Sequence, residues 1–219
     1  MKPQFIVGIK NETLTEKVGL PTTGLSPIDM QQIIELVQEG IVIGQREALE
    51  KDESVRQVLP YVILSQFDES AGVMKYIPYR RTKLVGESRL AGNVSVGFGG
   101  HIDLDDVVSK GSVVDLIATI GQAVGRELQE EVIFSGMDGA DISLFSVGMI
   151  LDNSDEVGKV HLGVVMNAQL PPGATAVCAE EELESLRPMT ARELLDSGLP
   201  IESWSRIALD FLYQVEQLA

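Results

Sequence analysis

Three carboxylates lie close together in the segment Arg126-Glu127-Leu128-Gln129-Glu130-Glu131-Val132. If this segment is helical, Glu127, Glu130 and Glu131 stand at i, i+3 and i+4, and their side chains share one face of the helix. Like charges at such distances repel one another unless a cation lies among them. Mg²⁺ and Mn²⁺ prefer oxygen ligands and are often bound together with substrate phosphates. The spacing is typical of a divalent metal site or of a solvated acidic face, and the preceding Gly99-Gly100, after a strand-like run, favours the metal site.

The acidic segment resembles the second half of the Nudix box, whose family pattern is G-x5-E-x7-R-E-U-x-E-E-x-G-U, with U an aliphatic residue. Arg126, Glu127, Leu128, Glu130 and Glu131 match this pattern position by position. Further stretches resemble a branch of the Nudix hydrolases that is described only as predicted phosphoesterases, namely residues 57–61, 79–81, 86–90, 95–102 and 202–205. The likeness therefore runs from about residue 44 to about residue 212.

The sequence departs from the family pattern in the first half of the box. Gly100 and Arg126 are 26 positions apart, whereas the family pattern separates its first glycine and its arginine by 14. Counting back from Arg126 places Ala118 at the first glutamate of the box and Ser112 at its glycine, and Ile133 stands at the later glycine. The first glutamate is therefore absent, while the three carboxylates of the second half are present.

The resemblance implies hydrolysis of a phosphoanhydride bond in a nucleoside diphosphate linked to another group, with Mg²⁺ or Mn²⁺ as the cofactor. It implies that Glu127, Glu130 and Glu131 hold the metal, together with a backbone carbonyl near Gly100. Arg126 is then expected to brace the carboxylates as a bidentate partner without touching the substrate. The alternative for Arg126 is an exposed arginine on the helix surface.

Positive charge is concentrated between residues 75 and 83 of this acidic chain, at Lys75, Arg80, Arg81 and Lys83. Arginine makes bidentate hydrogen bonds to phosphate, so one of Arg80 and Arg81 is predicted to clamp the substrate. Side chains alternate along a strand, so only one of the two is expected to reach the cleft. The alternative is edge-strand charge that prevents aggregation.

Several other polar residues have two interpretations. The general base is open between Glu127 and a glutamate of the run Glu181-Glu182-Glu184, which is otherwise a solvated loop. His101 is expected to be a hydrogen-bonded structural residue, with a supporting role beside the metal as the alternative, and His161 is expected to be structural. The aspartates at 103, 105 and 106 are predicted to form an acidic surface loop, with a second cation site as the alternative.

The composition limits the classes of partner. The formal net charge of −16 over 219 residues argues against a nucleic-acid polymer or an anionic membrane surface, since both select basic surfaces. Cys178 stands alone, so no intrachain disulfide is expected. No signal peptide is visible, and no run of about 18 apolar residues could span a membrane. We therefore expect a cytoplasmic protein that acts on a small molecule, and a homodimer stays open.

The chain is predicted to consist of an N-terminal added lobe, residues 1–55, and a Nudix-like hydrolase domain, residues 56–219. In the lobe, Ser26-Pro27-Ile28-Asp29 is typical of a helix start. An apolar stripe formed by Met30, Ile33, Ile34 and Val37 follows it and ends at Gly40.

The domain is predicted to contain strands at 61–64, 74–79, 94–98, 144–151 and 160–168. Ser112-Val113-Val114-Asp115 resembles a capping box, and an apolar stripe behind it predicts a helix that leads to the carboxylates, through Val113, Ile117, Ile120, Val124 and Leu128. A second stripe, from Trp204 to Leu218, predicts a C-terminal helix. This order indicates the α/β (α+β) class with a mixed sheet between helical layers, which agrees with the α/β/α sandwich that the resemblance implies.

Two functions are consistent with these residues. The intact Glu127, Glu130 and Glu131 favour a metal-dependent Nudix-type phosphohydrolase. Ala118, at the place of the missing glutamate, favours a Nudix-fold nucleotide-binding or regulatory protein without turnover. An unrelated acidic α/β protein is a distant third.

Overall fold

The computed structural model describes residues 3–19, 23–29, 37–83, 91–137 and 142–218. The strands in chain order are β1 (Phe5–Lys10), β2 (Thr23–Ser26), β3 (Ile41–Gln45), β4 (Val55–Asp68), β5 (Val73–Tyr76), β6 (Tyr79–Arg81), β7 (Val94–Ser95), β8 (Gly97–Phe98), β9 (Ser109–Lys110), β10 (Val113–Val114), β11 (Val132–Ser135), β12 (Ser143–Asp152), β13 (His161–Gln169), β14 (Thr175–Cys178) and β15 (Leu183–Ser185). The helices are α1 (Asn11–Thr13), α2 (Arg46–Leu49), α3 (Leu116–Glu131), α4 (Ala191–Leu195) and α5 (Ser203–Glu216). Within these residues, no helix has the length and apolar character that crossing a bilayer requires.

The chain divides into two compact units. The first comprises Met1–Tyr61, Gly99–Arg126 and Ser146–Val165. The second comprises Val62–Phe98, Glu127–Phe145 and Met166–Ala219.

The first unit is built on a sheet with the strand order β2-β12-β13-β4-β1-β3. β1 is antiparallel to both of its neighbours, β3 and β4. Two hydrogen bonds indicate that β13 runs parallel to β4. The side chain of Arg56, at the start of β4, donates to the carbonyl of His161, at the start of β13. The N–H of Leu170, just after β13, donates to the carbonyl of Ser65, late in β4. The predicted α+β class with a mixed sheet is therefore confirmed.

Residues 1–55 contribute three strands, β1, β2 and β3, to this sheet. Ile6, Leu49 and Val55 pack together in the core, with Val42 against them. The compact unit that contains these residues extends beyond residue 55 into β4 and also includes later parts of the chain. The predicted boundary at residue 55 therefore does not coincide with the division of the chain into compact units.

The helix predicted from residue 27 towards Gly40 lies largely outside the described residues, because residues 30–36 are not among them. Before that gap, Thr23–Ser26 is strand β2. After it, Gln38–Gly40 forms a 3₁₀ turn, and β3 begins at Ile41. A helical turn thus ends at Gly40, where the sequence predicts a helix end.

The strands predicted for the remaining chain are present, and two of them are interrupted. The run at 74–79 forms β5 and β6 with Pro78 between them, and proline has no N–H to give to a strand neighbour. The run at 94–98 forms β7 and β8, separated at Val96, whose N–H donates to the Ser205 hydroxyl at 3.1 Å. A continuous strand would use a backbone N–H at each of these positions. Pro78 lacks that N–H, and Val96 gives its own to Ser205.

The second unit holds smaller sheets around the later part of β4. β5 and β8 pair with β4, a three-stranded sheet has the order β15-β6-β7, and β11 pairs with β14. The predicted C-terminal helix is present as α5, and its buried residues are Ser205, Ala208 and Leu209. The Ser205 hydroxyl lies 3.1 Å from that of Ser95 on β7, so a buried polar contact fixes this helix against the strand.

The helix α3 begins later than the capping pattern predicts. Val113 and Val114 form β10, and the helix begins at Leu116. Asp115 caps it, since its Oδ1 accepts the N–H of Ala118 at 3.1 Å. The sequence analysis therefore identified the capping carboxylate. It placed Asp115 inside the first turn of the helix, whereas Asp115 directly precedes the helix.

The buried face of α3 also differs from the predicted stripe. It consists of Leu116, Thr119, Ile120, Ala123, Val124 and Glu127. Ile117, which the stripe includes, is 46% exposed, and Leu128 is half-buried. The buried face is shifted by about one residue relative to the predicted stripe. Glu127 is the last buried residue of this face.

Candidate active site

The three predicted metal ligands lie near the end of α3. Glu127 is 8% exposed, Glu131 is half-buried and Glu130 is exposed. At about 100° per residue, their directions fall within about 100° of arc, so they share one face. The helix passes directly into β11, and the carbonyl of Glu131 accepts the N–H of Ala179 at 2.8 Å. This hydrogen bond fixes the end of the helix that carries the carboxylates.

Arg126 is paired with a residue that the sequence analysis assigned to the surface. Its Nε donates to Asp106 Oδ1 at 3.1 Å and its Nη2 to Asp106 Oδ2 at 2.8 Å. Asp106 is only 5% exposed and the Arg126 side chain 29% exposed, so this is a partly buried bidentate pair with a buried carboxylate. Nη2 of Arg126 also donates to the carbonyl of His101 at 3.0 Å. The described bidentate partner of Arg126 is thus an aspartate of the preceding loop, and the surface-loop prediction for Asp106 was wrong.

The long segment between Gly100 and Arg126 is packed along α3. Leu104–Asp106 forms a 3₁₀ turn, and β9 pairs with β10 as a hairpin. Thr119 of α3 is fully buried and accepts the N–H of Val108 at 3.0 Å. The residues that lengthen this segment therefore form a hairpin before the helix and leave the spacing from Arg126 to Glu131 intact.

The glycine pair forms a close contact with β4. Gly99 has φ 137°, and a Cβ atom built on it would overlap the carbonyl oxygen of Pro60. Only glycine adopts this conformation at such a distance without strain. Gly100 is half-buried in the same loop, and the role of its carbonyl as a metal ligand stays a prediction.

Ala118 does not occupy a place from which a longer side chain could join the three glutamates. It is the third residue of α3, and Glu127 is the twelfth. Nine helical positions correspond to a rise of about 13.5 Å and to half a turn beyond two complete turns. A glutamate at position 118 would therefore point to the opposite side of the helix from Glu127.

The two histidines form a hydrogen-bonded pair in the first unit. His101 Nε2 lies 2.8 Å from Oε1 of the buried Gln57 and 3.4 Å from His161 Nε2. Burial, Arg46 and His161 together lower the pKa of His101 to about 3. Burial is also the main cause that lowers the pKa of His161. Both imidazoles are therefore neutral at pH 7.

We expect the metal-free protein to lose stability as the pH falls from 7.5 to 5.0. Unfolded histidine takes up a proton near pH 6.5, whereas folded His101 does so only near pH 3. The unfolded state thus binds more protons, and His101 alone should lower the free energy of unfolding by about 1–2 kcal/mol at pH 5. Urea denaturation in EDTA at both pH values measures this loss. In a His101→Gln variant, the free energy of unfolding should depend less on pH. An unchanged pH dependence would contradict the lowered pKa of His101.

In the second unit, Arg81 lies among carboxylates. Its Nε donates to Glu202 Oε1 at 2.6 Å, and its guanidinium carbon lies 5.6 Å from the centre of the Tyr79 ring. Burial lowers the pKa of Arg81, but Tyr79, Glu202 and Glu131 raise it, and the net shift is upward. Glu131 is thus close enough to act on the charge of Arg81, which connects β6 with the end of α3.

Arg80 has a different environment, as alternation along a strand requires. It pairs with the exposed Glu184 at 3.2 Å. Its side chain is 37% exposed, compared with 24% for Arg81. Arg81 is therefore the less exposed of the two predicted clamp residues, and it is the one on whose charge Glu131 acts.

Several short stretches on which the family resemblance rests meet around Arg81. Residues 79–81 bind residues 95–102 through the Tyr79 hydroxyl, which donates to the carbonyl of Gly97 at 2.7 Å. Residues 202–205 supply the ion-pair partner of Arg81 and the hydroxyl of Ser205. Residues 86–90 lie outside the described part of the chain. Tyr79 is buried and hydrogen-bonded, which suits a structural role.

Sequence reasoning missed Glu180, which begins the acidic run before β15. Burial raises the pKa of Glu180, and Glu182 and Glu130 raise it further, while Arg81 lowers it. Glu184, one of the predicted base candidates, is instead paired with Arg80 at the surface. The acidic run was visible in the sequence, but only the tertiary structure shows which of its members lies near α3.

The chemistry of the glutamate set fits a hard divalent cation, since carboxylate oxygens are the ligands that Mg²⁺ and Mn²⁺ prefer. As the side chains are placed, no three His, Cys, Asp or Glu residues of the described ranges converge closely enough to hold an ion. Metal binding therefore requires these side chains to turn towards one point. Glu130 is exposed and can do so without disturbing the core.

Comparisons with known proteins bear on the fold and the family of the chain. No protein-family model matches the chain. Protein YmaB of Bacillus subtilis (strain 168) is 32% identical over 171 residues, which cover 77% of this chain and 76% of YmaB. The crystal structure of Tm1382, a proposed Nudix hydrolase, superposes with a TM-score of 0.73 at 21% identity and covers 96% of this chain and 99% of its own.

A second solved structure is similar over a smaller part of the chain. The Nudix domain of Shewanella oneidensis NrtR, crystallised with ADP-ribose, has a TM-score of 0.50 at 14% identity, covering 75% of this chain and 89% of its own. These structural likenesses establish the fold, and the identity to YmaB establishes the relationship. The chain therefore has a Nudix fold, and it belongs to the same family as protein YmaB.

Proposed function

We propose that this chain is a divalent-metal-dependent phosphohydrolase that cleaves a phosphoanhydride bond in a nucleoside diphosphate linked to another group. The observation that carries the proposal is the position of Arg81, a partly buried guanidinium beside Glu202 and within electrostatic reach of Glu131. An acidic protein that acts on phosphate needs local positive charge next to its metal ligands. The Nudix fold supports this reaction class, and the ADP-ribose bound to the NrtR domain supports a nucleotide-derived diphosphate as substrate.

Each residue of the site has a distinct task in this proposal. Glu127, Glu130 and Glu131 would hold Mg²⁺ or Mn²⁺, with the carbonyl of Gly100 as a further ligand. Such an ion, when bound, neutralises the diphosphate and lowers the pKa of a bound water. Arg81 binds a phosphate oxygen through its planar fork. Arg126 acts as a positioning residue.

The described contacts of Arg126 lie within the first unit. Its bidentate pair with Asp106 holds the 3₁₀ turn, and its bond to the His101 carbonyl holds the loop that follows Gly100. Arg126 is also the residue immediately before Glu127 in α3. In this proposal Arg126 therefore fixes the part of α3 that precedes Glu127, and it does not bind substrate.

The general base is one of two glutamates. Glu127 is buried on α3, which suits a group held in one orientation. Glu180 lies in the loop whose Ala179 binds the end of α3, and the negative charges of Glu182 and Glu130 help to raise its pKa. A higher pKa makes a carboxylate a stronger base, so Glu180 is the candidate that we favour beside the predicted run Glu181-Glu182-Glu184, of which Glu184 is paired with Arg80.

The proposal is tested by a substrate screen. The purified protein is incubated with Mg²⁺ or Mn²⁺ and with nucleoside diphosphate sugars, dinucleotides, deoxynucleoside triphosphates and diphosphate alcohols, and products are separated by chromatography. We expect hydrolysis of at least one diphosphate-linked compound, with no turnover in EDTA and a rate that rises towards alkaline pH. Turnover that persists in EDTA would contradict the metal-dependent mechanism.

Arg81→Ala is expected to lower kcat/KM by roughly 10- to 100-fold, the effect of losing a hydrogen bond to a charged group. Arg80→Ala should have little effect, because Arg80 is paired with Glu184 away from the site. Arg80 is a matched control, since it is the same residue type at the adjacent strand position. Arg81→Lys should give an intermediate loss. Equal and small effects at both positions would assign both arginines to the surface.

The alternative function is nucleotide binding without turnover. The observation that favours it is the alanine at position 118, where the family pattern has a glutamate. If the protein binds a nucleotide tightly with Mg²⁺ and hydrolyses nothing in the screen, the binding function replaces the hydrolase.

A further inference from the structure

The chain has two histidines, and in the first unit they lie beside each other, with His101 hydrogen-bonded to a buried amide. The Nε2 atoms of His101 and His161 lie 3.4 Å apart, and the rings meet edge to face with centroids 5.4 Å apart. Oε1 of Gln57, a fully buried residue, lies 2.8 Å from Nε2 of His101. Three donor atoms, from β4, the glycine loop and β13, therefore face one another.

The other ring nitrogen of His161 determines its tautomer. Nδ1 lies 2.6 Å from the carbonyl oxygen of Val157. Because a carbonyl only accepts, Nδ1 carries the hydrogen, and the Nε2 of neutral His161 is a bare lone pair. Histidines that bind metals commonly donate their second N–H in this way, which orients the ring and raises its basicity.

Gln57 provides a second, independent observation. Its Nε2 is buried and has no hydrogen-bond partner among the described residues. Buried polar groups are normally hydrogen-bonded, and an unpaired one costs about 1–3 kcal/mol. The Gln57 side chain therefore uses only its oxygen, Oε1, in hydrogen bonds. This points to a ligand that binds Oε1.

We propose that Nε2 of His101, Nε2 of His161 and Oε1 of Gln57 form a binding site for a divalent transition metal ion such as Zn²⁺ or Co²⁺. The site shares no residue with the glutamates of α3. Two nitrogens held by one tetrahedral Zn²⁺ at about 2.0–2.1 Å lie about 3.3–3.4 Å apart, which matches the observed 3.4 Å. Two imidazole donors suit these ions better than Mg²⁺.

Binding requires one proton to move within His101. In the metal-free protein, Nε2 of His101 donates to Gln57, so its hydrogen lies on Nε2. On metal binding this hydrogen leaves Nε2, and one returns from solvent to Nδ1, so the ring stays neutral and no net proton is released. Both rings are half-buried, so water can complete the coordination.

The surrounding charges permit a cation. Arg46 opposes it, but Arg46 is paired with Glu50 at 2.9 Å. Glu50 and Asp155 act on His161 as negative charges, since both raise the pKa of its ring.

The test uses the full chain without a polyhistidine tag, freed of metal with EDTA and then dialysed. Co²⁺ is titrated and followed by visible absorption, and the affinity for Zn²⁺ is obtained by competition. Because the chain has two histidines, ¹⁵N-labelled imidazoles can be assigned by comparing single variants. We expect both Nε2 signals to shift with one equivalent of Zn²⁺.

Variants decide the outcome. His101→Gln and His161→Gln should each weaken Zn²⁺ binding by about tenfold or more, since even the loss of a supporting hydrogen bond costs that much. The double variant Glu130→Gln with Glu131→Gln should keep this Zn²⁺ site. Unchanged affinity in folded histidine variants, or imidazole signals that do not move at saturating Zn²⁺, would overturn the proposal. Such a result would leave the hydrolase proposal untouched, because that rests on other residues.

Discussion

Glu130→Gln and Glu131→Gln are each expected to lower kcat of the Mg²⁺-dependent reaction by a factor on the order of 10²–10⁴. The physical reason is that the loss of either carboxylate removes the general base or expels the metal. Calorimetric titration with Mn²⁺ should show binding to the unmodified protein and none to the double variant. Glu130 is exposed, so its replacement should leave the fold intact. Glu127→Gln should be impaired to a similar degree.

Glu12→Gln is the matched control for these variants, because Glu12 is an exposed glutamate on the short helix α1. It should retain full activity and Mn²⁺ affinity. If the folded double variant binds Mn²⁺ as well as the unmodified protein does, the metal site does not lie on α3. If binding is lost and turnover persists, the ion is not part of the reaction.

Arg126→Ala is expected to lower the free energy of unfolding by about 3–5 kcal/mol, the usual effect of removing one partner of a buried ion pair. The change leaves the Asp106 carboxylate, 5% exposed, without its bidentate partner. It also removes the hydrogen bond to the His101 carbonyl. Urea denaturation at pH 7.5 measures the loss.

A double variant separates the ion pair from other effects of the substitution. Arg126→Met combined with Asp106→Leu removes both charges and should lose much less stability than either single change, because no uncompensated charge stays buried. Arg192→Ala provides a surface control, since Arg192 and Asp196 form an exposed pair on α4, and it should change stability little. A similar small effect for Arg126→Ala would mean that the Asp106 pair does not stabilise the fold.

Local patterns in the sequence predicted the elements and the direction of the glutamates. Apolar runs gave the strands, since side-chain alternation needs only a few neighbouring residues. The i, i+3 and i+4 spacing placed Glu127, Glu130 and Glu131 on one helix face, because helical geometry is the same in every context. Alternation likewise showed that Arg80 and Arg81 cannot share a face.

The buried face of α3 was beyond the reach of this local information. The predicted stripe through Ile117 was as apolar as the observed line through Leu116 and Ala123. Packing partners from elsewhere in the chain select between two such faces, and Thr119 belongs to the chosen one because its hydroxyl binds Val108. Periodicity alone carries no information about those partners.

Contacts between distant residues were decided by tertiary structure alone. Arg126 and Asp106 are 20 positions apart, and Arg81 and Glu202 are 121 positions apart. The choice of Arg81 over Arg80, and of Asp106 as the partner of Arg126, depends on which loop lies against which strand. An ion pair acts over a few ångströms, while the sequence specifies directly only what neighbouring residues do, so the identity of each partner follows from the path of the whole chain.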